Sequence, residues 1–132
     1  MRKVTWFILL AGLLACGCSK TKSTDQLIAD LKSGEEKQRL IAARLLGQRH
    51  AEPAKVVPAL TEALSDHDGD VRWSAAIGLG YFGEQAKDAV PALQKAQQDK
   101  DGRVREGAAV ALSRIDPAKF PYSAAKPKSP KK

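Results

Sequence analysis

Shifted by 33 residues, the chain falls onto itself. Pro58-Ala59-Leu60 meets Pro91-Ala92-Leu93, Gly69 meets Gly102, Val71-Arg72 meets Val104-Arg105, Ala75-Ala76 meets Ala108-Ala109, and Leu79 meets Leu112. One further shift back reaches Leu27, Leu31, Arg39, Ala42-Ala43, Leu46 and Gly47, so three units are present. A unit this short is a single supersecondary element. It cannot bury its apolar stripe alone, and about three stacked copies are needed for a continuous core.

Each unit carries two apolar stripes at helical spacing, such as Leu60 and Leu64, then Val71, Ala75, Leu79 and Phe82, separated by Asp/Gly-rich residues. This predicts helical hairpins. Prolines mark the first turns of the helices holding Leu60 and Leu93, and Ser33 with Glu36 has the spacing of a capping box. Strand signals are absent. The fold class expected is all-α, a short α-α superhelix of three hairpins spanning 24–57, 58–90 and 91–116. The outer units should differ from the middle one. Glu106 replaces the column of Leu40 and Trp73, Gln97 replaces that of Leu31 and Leu64, and Phe120 with Tyr122 is expected to fold back over the open end.

The run from Asp68 to Gly80, Asp-Gly-Asp-Val-Arg-Trp-Ser-Ala-Ala-Ile-Gly-Leu-Gly, preceded by Val57-Pro58-Ala59-Leu60, resembles a HEAT repeat of the short bacterial, phycobilisome-lyase-like type. The third unit matches nearly as well. The first departs from it, with Gln38 in the column of Val71 and Val104 and Asp25 in that of the prolines. The resemblance covers roughly residues 24–116 and implies a helical solenoid whose second helices line the concave surface. It identifies an architecture rather than a reaction.

Ahead of the repeats, Arg2 and Lys3 precede an apolar run from Val4 to Leu14. Eleven residues extend only about 17 Å as a helix, against roughly 30 Å of hydrocarbon, so a removed export signal fits better than a membrane span. Leu13-Leu14-Ala15-Cys16 resembles the lipobox of bacterial lipoproteins, with 1–15 as signal peptide and Cys16 as the lipidated first residue; Cys18 is the alternative. The resemblance implies several acyl chains, palmitate among them, on one cysteine, which anchors far better than a single chain. A Cys-x-Cys disulfide would close a very small strained ring, and two thiolates alone fall short of a zinc site. Residues 16–23 read as a flexible tether and 117–132, rich in Lys and Pro, as a disordered tail.

The formal charge of +7 suggests an anionic partner until its distribution is followed. Two of the 22 basic residues open the chain and five lie beyond Asp116; those between match the 15 acidic residues in number. The body is neutral, so a nucleic-acid partner is not expected. The tail could touch an anionic polymer or serve only as a solubilising extension.

Several patterns have bland readings beside sharper ones. Gly78-Leu79-Gly80-Tyr81-Phe82-Gly83 matches a dinucleotide fingerprint but lies near a helix end rather than between strand and helix, so close helix crossing and a C-terminal cap explain its glycines better. Asp66, Asp68 and Asp70 alternate like a calcium loop, yet the glycine comes too early and Ile77 occupies the place of the closing glutamate. Helix caps and contacts between repeats are the expected use. Arg39, Arg72 and Arg105 form a column at the repeat period, either a structural ladder to neighbouring aspartates or a row offered to a partner's acids.

Trp73 lies about 200° around its helix from Val71. With Leu40, Ile77, Glu106 and Val110 it is expected to face a partner, unless it packs between neighbouring second helices.

Catalysis has little to stand on. His50 and His67 are the only histidines, neither is followed by the glutamate of the His-Glu hydroxylase motifs, and no nucleophile or metal signature occurs. The chain is therefore expected to be a non-enzymatic adaptor or assembly factor, exported and lipid-anchored, binding a protein or peptide without cofactor, metal or small-molecule substrate. The alternatives are an accessory subunit of a bilin-lyase-like enzyme and a binder of anionic polymers through its tail.

Overall fold

The computed structural model describes residues 21–122. The expected signal segment, Cys16, Cys18 and the tail from 123 onward lie outside the described residues. The elements are α1 (Thr24–Leu31), α2 (Glu36–Leu46), α3 (Pro53–Ala63), α4 (Gly69–Tyr81), a 3₁₀ segment (Gly83–Ala89), α5 (Val90–Ala96) and α6 (Gly102–Ile115). They form three stacked hairpins, α1–α2, α3–α4 and α5–α6, with no strand among the described residues. None of these helices is long and apolar enough to cross a membrane.

Local chemistry explains the helix starts, not always as the sequence suggests. Asp68 caps α4 by accepting from Asp70 N and Val71 N at 2.8 and 3.0 Å, and Asp101 caps α6 by accepting from Arg103 N at 2.9 Å. The expected Ser33–Glu36 capping box does not form. Ser33 instead accepts from Glu35 N and donates to Gln38, because α2 begins two residues later, after Glu35. The capping box is at Ser23, which accepts from Gln26 N while the Gln26 side chain accepts from Ser23 N.

The end of the expected tether thus belongs to the fold. Lys22 pairs with Asp30 at 2.6 Å, and its carbonyl accepts from Arg49 at 2.7 Å.

The prolines also need correction. Pro53 opens α3, and Pro58 sits inside it with Ala54 one turn back, both exposed, where water can serve the carbonyl that proline cannot. Pro91 does lie in the first turn of α5. Boundaries drawn at 57/58 and 90/91 therefore cut through α3 and α5; the hairpins divide in the loops before Pro53 and after Tyr81.

Equivalent columns of the three units build one core. Leu27, Leu60 and Leu93 from the first helices meet Leu46, Leu79 and Leu112 from the second, all sealed from solvent. Each such side chain contributes roughly 1.5–3 kcal/mol on burial. The second helices approach one another most closely. A Cβ at Gly47 would lie 2.9 Å from Gly78 Cα, and one at Gly80 would lie 3.0 Å from Ala111 Cα, one repeat on.

The two outer ends of this seam differ from its middle. Ile41 and Leu45 occupy in α2 the positions that are Ser74 and Gly78 in α4 and Gly107 and Ala111 in α6, and both are exposed, with no other helix among the described residues against them. Ser113 takes the place of Gly47 and Gly80 at the other end. Phe120 packs half-buried against the last unit, as expected of a closing residue, whereas Tyr122 stays 48% exposed.

Candidate functional site

The arginine column is a ladder at two of its three rungs. Arg39 donates through Nε and Nη2 to Asp66 at 2.8 and 3.1 Å, and Arg72 does the same to Asp99 at 2.8 and 2.9 Å. Each Nη1 meanwhile donates to two carbonyls of its own loop, Ser33 and Gly34 for Arg39, Asp66 and His67 for Arg72. One guanidinium thus closes a hairpin turn and clamps the next repeat, a use that suits a planar, five-donor group. The hydrogen bond to Asp66 holds the Arg39 pKa above its usual value, and that to Asp99 raises the Arg72 pKa.

Arg39 and Arg72 are consequently not available to a partner, contrary to one of the readings above. Arg105 repeats the bonds to its own loop, at 2.8 and 3.1 Å to the carbonyls of Asp99 and Lys100, but no carboxylate among the described residues meets its fork.

The aspartates at 66, 68 and 70 work as caps and clamps. Asp66 accepts from Asp68 N as well as from Arg39, and Asp70 pairs with Arg103 at 2.7 Å. Among the described residues no group of three or more His, Cys, Asp or Glu converges as a metal site would require. His50 rests against Phe82 with ring centroids 5.2 Å apart.

Second helices touch their neighbours far more than first helices do, which puts them on the inside of the curve. Their inward side chains form a grid of three rows set by the repeat period: Leu40, Trp73 and Glu106; Arg44, Ile77 and Val110; Gln48, Tyr81 and Arg114. The first row and part of the second were legible as sharing one surface. The third was missed, although the same 33-residue period applied to Tyr81 finds it. Tyr81 is 56% exposed, and the Arg114 guanidinium lies 5.3 Å from its ring centroid.

Trp73 packs on a neighbouring second helix and keeps part of its ring open. A Cβ on Gly107 would lie 3.2 Å from Trp73 Cδ1, so the indole edge packs on α6 where the glycine makes room. The ring remains half-buried and borders two openings on the inner face, one of about 260 Å³ toward α2 and one of about 340 Å³ toward α6. Ile77 borders both; Glu106 and Val110 border the second. Leu40 packs half-buried against the core and borders neither.

Comparison with known proteins decides the family. The HEAT-repeat family matches residues 24–113 and again 70–126, most of the chain. The chain is a HEAT-repeat protein. Its array is similar to the solved complex of CpcE and CpcF of phycocyanin lyase from Nostoc sp. PCC7120, with a TM-score of 0.67 and 29% identity over 86% of this chain and 42% of that one. The HEAT array described here thus spans less than half the length of that relative. No curated protein matches the chain.

Proposed function

We propose that this HEAT-repeat protein is a non-catalytic adaptor or assembly factor that holds a segment of another protein on its inner face. The observation that carries this reading is the inner-face grid, where Tyr81, Trp73, Ile77 and Val110 keep apolar surface open to solvent beside Arg44, which meets no carboxylate among the described residues. A partly exposed aromatic cluster rimmed by charge is how protein interfaces are commonly anchored. The similar solved structure is itself a complex of two protein subunits. That similarity also favours a second reading, an accessory subunit to a lyase-like enzyme acting on a protein.

The Leu13-Leu14-Ala15-Cys16 segment supports export and anchoring by lipid on Cys16, outside the cytoplasm. Lipid labelling lost in Cys16→Ser and kept in Cys18→Ser is the expected result; the reverse moves the anchor to Cys18.

The adaptor reading is tested by crosslinking the full chain in intact membranes and identifying attached peptides by mass spectrometry. Sites of attachment should cluster on α4 and α6 around Tyr81 and Val110, and attachment confined to the first helices sinks the reading. Because Trp73 also packs on Gly107, Tyr81→Ala is a cleaner probe of binding than Trp73→Ala.

A further inference from the structure

The opening between α2 and α4 differs from its counterpart one repeat on, and the difference gives it a ligand preference. Its floor is the glycine crossing of Gly47 and Gly78, its walls are Trp73, Ile77 and Tyr81, and its rim carries Arg44 and Gln48. In the equivalent place between α4 and α6, Arg114 lies over Tyr81 and occupies the corresponding rim. Between α2 and α4 the pair in those columns is Gln48 and Tyr81, and the space stays open.

Two polar groups there lack partners. Ser74 lines this cleft and is only 5% exposed, and its Oγ is the one buried side-chain polar atom among the described residues without a hydrogen bond. Arg44, exposed at the rim, has no carboxylate within salt-bridge distance among the described residues.

We propose that the α2–α4 cleft binds a peptide segment of a partner protein in which a large apolar side chain is flanked by a carboxylate. The apolar side chain enters between Trp73, Ile77 and Tyr81, and the carboxylate takes the Arg44 fork. The charge pattern of the inner face favours a short acidic segment over a polyanion. Arg44 and Arg114 stand beside Tyr81, whereas at the opposite end of the inner face Arg103 is already held by Asp70 and Asp101 with Glu106 beside it, so the charge open to a ligand is confined to one short stretch.

This inference rests on the inner-face reading above and can fail separately from it. The probe is a phage-displayed library of random short peptides, selected on the full chain in detergent and on its Arg44→Glu and Tyr81→Ala variants. Both side chains are exposed, and unchanged melting temperatures show that the variants fold. Peptides joining Asp or Glu to a large apolar residue should be enriched on the natural chain. They should bind either variant at least about tenfold more weakly, as loss of a charge-assisted bond or an aromatic wall implies. Arg44→Glu should select Lys or Arg in place of the acid.

If enriched peptides need Tyr81 but ignore the charge at position 44, the acidic preference is overturned and the inner-face reading survives. If no peptide depends on Tyr81, both fail. Arg44-dependent binding of phosphatidylglycerol vesicles in place of peptides also overturns the proposal.

Discussion

Arg72 and Asp99 are joined fork to fork across the boundary between the second and third repeats, Nε to Oδ2 at 2.8 Å and Nη2 to Oδ1 at 2.9 Å, with side chains only 7% and 12% exposed. Asp99 simultaneously accepts from Asp101 N at 2.8 Å, one residue before the helix it helps to start. Clamp and turn are therefore one unit. Asp99→Ala leaves the Arg72 fork and the Asp101 amide unmatched and should lower unfolding free energy by about 2–3 kcal/mol in urea denaturation. Arg105→Ala, which removes only bonds to its own exposed loop, should cost far less. Equal costs would show that clamping between repeats adds nothing.

The same ladder predicts a direction with pH. The Arg72 hydrogen bond lowers the Asp99 pKa. Desolvation pushes Asp66 upward, but the Arg39 hydrogen bond and the Asp68 amide outweigh it, so its pKa is lowered as well. A depressed carboxylate contributes stability that is fully present above its unfolded pKa of about 3.9 and is lost as pH falls through the folded one. Melting temperature should accordingly be insensitive to these groups near neutrality and drop below roughly pH 4. Asp66→Asn combined with Asp99→Asn should flatten that acid limb, and an unchanged limb would assign it to other groups.

Close helix crossing is tested at Gly47. Alanine there places a methyl 2.9 Å from Gly78 Cα, a backbone atom that cannot turn aside, so α2 must move away from α4. Gly47→Ala should cost about 1–3 kcal/mol by overpacking. Gly34→Ala, where no atom lies within 4 Å of the new methyl, should be neutral or slightly stabilising because it restricts the unfolded chain. Thermal denaturation separates the two, and a Gly47→Ala protein as stable as the natural one contradicts the crossing.

The end cap is tested at Phe120. Its amide donates to the Asp116 carbonyl at 2.9 Å and its ring packs on the last unit. Truncation after Asp116, or Phe120→Ala, should remove about 1 kcal/mol and lower Tm by about 4–8 °C. Tyr122→Ala, at a half-exposed position, should leave Tm unchanged. Identical melting of full-length and truncated chains would refute the cap.

The helical class, the threefold repetition and the core columns were legible because each is a periodic property. Leu27, Leu60 and Leu93 carry the same information three times, and a 33-residue shift exposes it without any structure. The cleft between α2 and α4 was not legible, because it arises where the pattern breaks. Ser74 is buried there only because α2 lies against α4, and Tyr81 turns from a helix-end aromatic into a wall only when the rows of three helices align. The capping box was misplaced for a related reason: Ser33 and Ser23 both have a polar partner three residues on, and the spacing alone does not say which turn the chain closes.

By itself the sequence determined that the chain repeats, that its units are helical hairpins, and that its body is electrically neutral between basic ends, since composition and period are properties of the string. The tertiary structure alone decided which charges are consumed and which remain. Arg39, Arg72 and Arg105 hold the same place in the 33-residue period, yet two meet Asp66 and Asp99 of the following repeat and the third meets no carboxylate among the described residues. A guanidinium is neutralised only by a carboxylate within a few ångströms, and stacking, not spacing along the chain, brings one there.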